Sequence, residues 1–437
     1  MSIKVENWPF LPPQMRTHQE EERWWAECYV PSPHEAVLQA HPDWTIVTGD
    51  AGSGKSTLLR AFKHSKASTA LILEDDIISR RGAHAEESQN LLFRILRAAS
   101  RASRQHFLTV PANLGRLSRA QQEFLRWLIE KFNDPRSYVR WLDGLPAEWA
   151  SIMQSVPFMD LYQTQVETQD VQAQIEELLN LSRRLDCGEI IAFVDVDYPP
   201  TSDLADQIIG LFDWLEPMQH IGLRIVAAMS HSIVDKSGLL HKTRGRVNAI
   251  YVEATENRTM EIIGRHLQAA TGGQIKQISD LADAELLARL TSLTINEFGV
   301  PACAGWLGIV DILLEYAKQA GMPSSRDAYP EIEAAYYKKY CPLRLIPSHD
   351  RRGVWRGHKF LQLDEGPYEL LEKLWRQRGK PMDHQAMGTM KKEYVHTLTR
   401  RLRVAIEPDP SNPLYILNRR NEGYWLENFL IEEKSGL

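Results

Sequence analysis

Short apolar runs with little polar interruption punctuate the first 255 residues: "WTIVTG" ending at Gly49, "TALIL" at Leu73, "EIIAFVD" at Asp195, "LRIVAAMS" at Ser230 and "NAIYV" at Val252. Runs of this length without alternation predict strands covered on both faces, as in a parallel sheet. Between them, apolar positions return at helical spacing. In "VQAQIEELLNLSRRL", Val171, Ile175, Leu178, Leu179 and Leu185 share a stripe, and in "AQQEFLRWLIEKF" Phe124, Leu125, Leu128 and Phe132 do so. The pattern predicts an α/β fold, a doubly wound parallel sheet binding its ligand at the strand C-termini, with a helical elaboration over about residues 83–187. The aromatic-rich "YVRWLDGLPAEW" reads either as core or as a partner surface. Farther on, Val395, Leu398, Leu402 and Ile406 form a helical core stripe, followed by the hairpin-like "LYILNRRNEGYWL".

The chain has 437 residues, too many for one ordinary core, so two or three domains are expected. No run approaches the roughly 18 apolar residues of a membrane span. The opening "MSIKVENWPF" lacks the basic start and apolar centre of a signal peptide, so a cytoplasmic protein without a membrane partner is expected. Cys28, Cys187, Cys303 and Cys341 are scattered without CxxC spacing and read as reduced thiols. Net charge is -6, but residues 342–437 carry 17 Lys+Arg against 13 Asp+Glu, so a mildly basic tail follows an acidic body. No internal repeat and no HExxH or Ser-His-Asp signature is present.

"GDAGSGKST", Gly49–Thr57, fulfils G-x-x-x-x-G-K-[ST], with an apolar run before it and a helical pattern after it. The chemistry needs that context. Gly49, Asp50, Ala51, Gly52, Ser53 and Gly54 let the backbone wrap a phosphate chain, and the following helix turns its positive end to the anion. Lys55 is expected to reach the β- and γ-phosphates of ATP, and the Ser56 hydroxyl to ligate Mg2+, with Thr57 in the same first turn. A second magnesium ligand is expected on a neighbouring strand. Asp195, at the end of "EIIAFVD", is the candidate; Glu74, Asp75 and Asp76 come too soon after the loop and read as structural or as a helix start.

These residues resemble AAA+ ATPases, in particular the branch holding the signal-transduction ATPases with numerous domains (STAND) and the origin-recognition initiators. The resemblance rests on the phosphate loop, Asp195, the strand ending at Ser230, and two later stretches. "EATENRTMEIIGRHLQAAT" resembles the first helix of a lid domain, and "LTINEFGVPACAGWLGIVDILLEYAKQAG" its later helices, with Gly299 and Pro301 in the place of a GxP element that touches the nucleotide base. It implies that Ser230 contacts the γ-phosphate or the attacking water. It also implies that Arg244 or Arg246 acts as an arginine finger toward a neighbouring subunit, hence a homo-oligomer; a solvated basic turn is the competing reading. Family members follow the magnesium aspartate with a glutamate, and here Val196 stands in that place. Asp197 is the candidate substitute, and a shorter acid in a different place predicts slow hydrolysis.

From "FLQLDEGPYELLEKLWRQRGKPM" to "YWLEN" the chain resembles the OmpR-type winged-helix domain of response regulators, with a shortened element between "KPMDHQAM" and "KKEYVHTL". The resemblance implies double-stranded DNA as partner, with Thr397, Arg400, Arg401 and Arg403 on the recognition helix and Arg419 and Arg420 on the wing. Winged helices also serve as protein-interaction modules. The expected layout is an ATPase core over 1–250, a helical lid over 251–340 and a winged helix over 341–437. The expected function is an ATP-dependent regulatory switch. Its alternatives are a signal-transduction or defence ATPase whose winged helix meets an effector protein, and a DNA-assembling target-selection ATPase.

Overall fold

The computed structural model describes residues 5–40, 44–67, 69–74, 87–132, 136–159, 168–185, 187–196, 222–243, 247–320, 325–345, 352–382, 392–419 and 422–430. In chain order its elements begin with α1 (His18–Glu27), α2 (His34–Ala40), β1 (Thr45–Gly49), α3 (Lys55–Lys66) and β2 (Ala70–Glu74). Five helices follow: α4 (Glu87–Thr109), α5 (Arg119–Lys131), α6 (Ser137–Asp143), α7 (Ala147–Gln154) and α8 (Thr168–Arg184). Then come β3 (Glu189–Val196), β4 (Leu223–Ser230), α9 (His231–Ser237), α10 (Leu239–Lys242) and β5 (Asn248–Tyr251). The remainder holds α11 (Glu256–Thr271), α12 (Ala284–Phe298), α13 (Cys303–Ala320) and α14 (Tyr329–Tyr340), then β6 (Leu343–Arg344), β7 (Gly353–Arg356) and β8 (Lys359–Gln362). Last are α15 (Glu365–Arg376), α16 (Lys392–Ile406), β9 (Ile416–Arg419), β10 (Gly423–Leu426) and β11 (Phe429–Leu430).

These elements fall into two compact units, one of Pro31–Asp50 with Gly54–Glu253, the other of Met1–Val30, Ala51–Ser53 and Ala254–Leu437. In the first, five strands form a parallel sheet in the order β2-β3-β4-β1-β5. The strands alternate in what they cover. Ile190, Ala192 and Val194 of β3 join a large cluster with Ile95, Leu125, Trp127 and Leu178, whereas Ile191 and Phe193 join Leu58 and Phe62 of α3. Burial on both faces is why the strands read as unbroken apolar runs. The helical elaboration packs as its stripes predict, with Phe124, Leu125, Leu128, Ile175, Leu178, Leu179 and Leu185 buried. The "YVRWLDGLPAEW" aromatics Tyr138 and Trp141 are core rather than partner surface, and the Tyr138 hydroxyl donates to Met153 O at 2.8 Å.

In the second unit, α11–α14 enclose an apolar core around Leu267, Leu290, Leu313 and Tyr336. The segment before Val30 is tied to α11: Arg265 donates to Tyr29 O at 2.8 Å and Arg258 to Val30 O at 3.1 Å. The C-terminal part is a winged-helix domain. A sheet β11-β6-β7-β8 and the antiparallel hairpin β9–β10 accompany α15 and α16, whose stripe Val395, Leu398, Leu402 and Ile406 is buried against Leu370, Leu371 and Leu374. Cys28, Cys187, Cys303 and Cys341 are all buried. Among the described residues no helix is long and apolar enough to cross a membrane.

Candidate functional site

The phosphate-loop motif leaves the sheet at the C-terminal end of β1, a central strand flanked by β4 and β5. Gly52 and Gly54 take φ of 73° and 102°, left-handed values that glycine adopts without Cβ strain. Gly54 is the N-cap of α3 and no side chain caps the helix, so the first-turn amides are not covered by a capping side chain from that residue. The N-terminal end of a helix, with its N–H groups and the positive pole of the dipole, favours anions. The Lys55 ammonium folds back onto the loop and donates to Gly49 O at 2.9 Å and to Asp50 O at 2.7 Å. Asp50, Ser56 and Thr57 are exposed, and Ala51 and Ser53 half-buried.

The strand ends meet along one edge. Gly49 pairs in register with Ser230 and Thr48 with Tyr251, while Asp195 pairs with Ala228 and Val196 with Met229. β4 therefore separates β1 from β3, and Asp195 sits two strands from the loop rather than on the adjacent strand expected from sequence. The Glu74 carboxylate at the end of β2 pairs with Lys63 of α3, a structural role. Ser230 is the N-cap of α9: its hydroxyl accepts from Ile233 N at 3.4 Å and lies 3.1 Å from Ser232 Oγ. Capping competes with any contact to a phosphate. His231, the next residue, reaches Asp235 at 2.9 Å and meets the Tyr251 ring. Asp197, Arg244, Arg246 and Arg420 lie outside the described residues.

Ala51–Ser53, the tip of the loop, belong to the second unit with the helices α12 and α13. Gly299 ends α12 with φ 79°, and its N–H donates to Ile295 O at 2.8 Å. Pro301 is exposed. The turn they form approaches Gly52 through its neighbours: a Cβ on Gly52 would stand 2.9 Å from Ala302 Cβ and 3.1 Å from the Phe298 ring, and Ala304 N lies 3.4 Å from Gly52 O. Phe298 carries no signal in the sequence beyond being an aromatic residue at a helix end.

On α16, Thr397, Arg400 and Arg401 are exposed. Arg403 is not equivalent to them. Its Nε and Nη2 donate to Ile416 O at 3.1 and 2.7 Å, and its guanidinium lies over the Tyr424 ring, so it fastens the hairpin to the helix. The Thr397 hydroxyl donates back to Glu393 O at 2.9 Å. Arg419 pairs with Glu422 at 3.1 Å and covers Trp425. Tyr394 and Val404 are also exposed on this helix, at 50% and 64%, and both fall off the core stripe readable in the sequence. The loop between α16 and β9 is closed by the buried Glu407 carboxylate, which accepts from the N–H groups of Leu414, Tyr415 and Ile416 at 2.7, 3.0 and 2.7 Å. Burial pushes its carboxyl above the ordinary range, against the pull of those donors and of Arg403.

A parallel sheet with the phosphate loop at its C-terminal edge, followed by a winged-helix domain, defines an α/β P-loop fold. No protein-family model matches the chain, and a search of curated proteins finds no relative. Among solved structures the chain is similar to the Aeropyrum pernix Orc1 protein in complex with DNA, at 14% identity and a TM-score of 0.38, over 98% of this chain and 95% of that one. It is also similar to Cdc6p from Pyrobaculum aerophilum, at 10% identity and a TM-score of 0.37, again over 98% and 95%. Both scores lie below 0.5, so neither alignment bears on function.

Proposed function

We propose that the protein is an ATP-binding regulatory switch of the AAA+ or STAND type, in which slow ATP hydrolysis controls assembly and a DNA-binding winged helix. The observation that carries this reading is the phosphate loop itself: left-handed glycines, a glycine N-cap and Lys55 gathered at the C-terminal edge of a parallel sheet. Backbone N–H groups of residues 51–56 would hold the phosphates, with Lys55 adding charge. Ser56 and Asp195 offer hard oxygen donors suited to Mg2+, an ion that takes few protein ligands beside phosphate oxygens. When bound, the ion would neutralise charge on the β- and γ-phosphates. Asp197 is the proposed group that positions the attacking water, Ser230 a γ-phosphate contact in competition with its capping role, Gly299 and Pro301 contacts to the base, and Arg244 or Arg246 the finger offered to a second copy.

On this reading the winged helix meets double-stranded DNA through Arg400 and Arg401, with Thr397, Arg419 and Arg420 at the margin. The exposed Val404 and Tyr394 favour a second reading, in which the same face meets an effector protein. Two measurements separate the readings. ATP turnover in wild type, Lys55→Ala and Asp197→Ala should be slow, absent and further reduced; turnover at the rate of a motor, or an unaffected Asp197→Ala, overturns the proposal of slow hydrolysis with Asp197 positioning the water. DNA binding titrated at several salt concentrations should fall steeply as salt rises. Absent or salt-independent binding selects the effector reading.

A further inference from the structure

The last turn of α12 is gripped from two directions within one compact unit. On one side the Phe298 ring lies against Gly52 at the tip of the phosphate loop, close enough that an added Cβ there would stand 3.1 Å from it. On the other side the β7–β8 turn holds three successive residues. Arg356 donates to the Glu297 carboxylate at 2.6 Å, Lys359 donates to Asn296 O at 2.9 Å, and the His358 ring lies 5.1 Å from the Phe298 ring, tilted by 33°. The Lys359 cation also complements the negative pole of α12.

The pair Glu297–Arg356 is buried, with side-chain exposures of 1% and 8%. The Tyr337 hydroxyl donates to the same Glu297 oxygen at 2.9 Å, and Arg356 Nη1 donates to Ile406 O, the last residue of α16, at 2.9 Å. Burial opposes the Arg356 charge, but the carboxylate of Glu297, with Tyr337 and Tyr415 beside it, outweighs burial and raises its pKa. Satisfaction is incomplete. Glu297 Oε2 and Arg356 Nε are buried and make no hydrogen bond among the described residues. A joint needed only for cohesion is served as well or better by apolar side chains. A buried ion pair fixes the geometry of the joint, so a displacement of either partner is passed to the other.

We infer that the last turn of α12, Asn296–Phe298, is a relay between the phosphate loop and the winged-helix domain. Closure of the loop around phosphates moves Gly52 against Phe298; Asn296 and Glu297 pass the shift to β7–β8, and Arg356 passes it to the end of α16. The relay rests on the nucleotide-binding reading above. Linkage makes it reciprocal, so a change in the β7–β8 contact alters nucleotide affinity by the same factor.

The test uses the full chain, Mg2+ and the slowly hydrolysed analogue ATPγS, with hydrogen exchange at residues 353–362 and 403–406 as one readout and calorimetric affinity as the other. In wild type, saturating analogue should change exchange at 353–362 by about threefold or more, and the change should vanish in Phe298→Ala while binding persists. Affinity in that variant should move by about fivefold or more. Lys359→Ala, which removes a half-buried surface side chain, reads the same relay if Phe298→Ala does not fold. The double variant Glu297→Leu with Arg356→Met, an apolar joint, should bind analogue and lose the response at 403–406. Failure of wild type to bind the analogue overturns both readings. Binding with no response at 353–362, or a response that survives in all of these variants, overturns the relay and leaves the nucleotide site standing.

Discussion

The phosphate loop and helix α16 are both surfaces proposed to meet phosphate groups, but they are built on opposite principles. The loop does its work with backbone: its glycines set the path, and the helix start behind Gly54 aims N–H groups at an anion. α16 does its work with side chains, and there the neighbours decide. Arg400, Arg401 and Arg403 look alike in sequence, yet Arg403 is consumed by Ile416 O and the Tyr424 ring while the other two are exposed. A motif made of backbone conformation is readable residue by residue; a motif made of guanidiniums becomes readable only when their partners are known.

That contrast can be broken or sharpened by substitution, and the largest effect is expected where a C-terminal arginine is buried. Arg356→Met leaves the Glu297 charge without its partner and should lower stability by about 3–5 kcal/mol, read by urea unfolding. The double change with Glu297→Leu should recover most of that loss. Lys55→Ala should weaken ATP binding about a hundredfold, since hydrogen bonds to charged groups contribute about 1.5–3 kcal/mol each, and lower stability by no more than about 1 kcal/mol, because its bonds to Gly49 O and Asp50 O are partly open to solvent. A large loss of stability in Lys55→Ala would show that the loop, too, depends on its side chains.

Arg403→Ala should cost about 1–2 kcal/mol of stability through the hairpin. Its effect on DNA affinity should be no larger than that loss explains. Arg400→Ala and Arg401→Ala should do the reverse, each lowering DNA affinity about three- to tenfold and the salt slope by about one, with no change in melting temperature. Equal behaviour of all three arginines would erase the distinction drawn from their contacts. The smallest effect concerns Glu407. Its carboxyl is raised above 4.5 in the folded chain, so the folded state holds the proton more tightly than the unfolded one. Stability from this group is fully present below the unfolded value and is lost as pH rises through the raised one. Melting curves against pH should therefore shift in favour of Glu407→Gln, relative to wild type, as pH rises above 4.5.

Much of the fold was legible. The five apolar runs became the five parallel strands because burial on both faces of the central strands leaves few polar positions to obscure them. The stripe Val395, Leu398, Leu402 and Ile406 became the buried face of α16 for the corresponding reason in a helix. The aromatics of "YVRWLDGLPAEW" were ambiguous, because a core and a contact surface draw on the same side chains; packing placed Tyr138 and Trp141 inside. The position of Asp195 shows a different limit. Strand identity follows from local pattern, but strand order depends on pairing across the chain, and β4 lies between the loop strand and the strand of Asp195.

The amino-acid sequence by itself determined the phosphate loop, the strands and helices around it, and the amphipathic helix near the C-terminus, because each depends on residues within a few positions of one another. Tertiary structure alone decided which polar and charged groups are spoken for. Ser230 caps α9, Arg403 fastens a hairpin, and Glu297 meets Arg356 across 59 residues of chain, contacts set by three-dimensional neighbours that no local pattern encodes. It also brought Phe298 against Gly52, a contact between residues far apart in the chain.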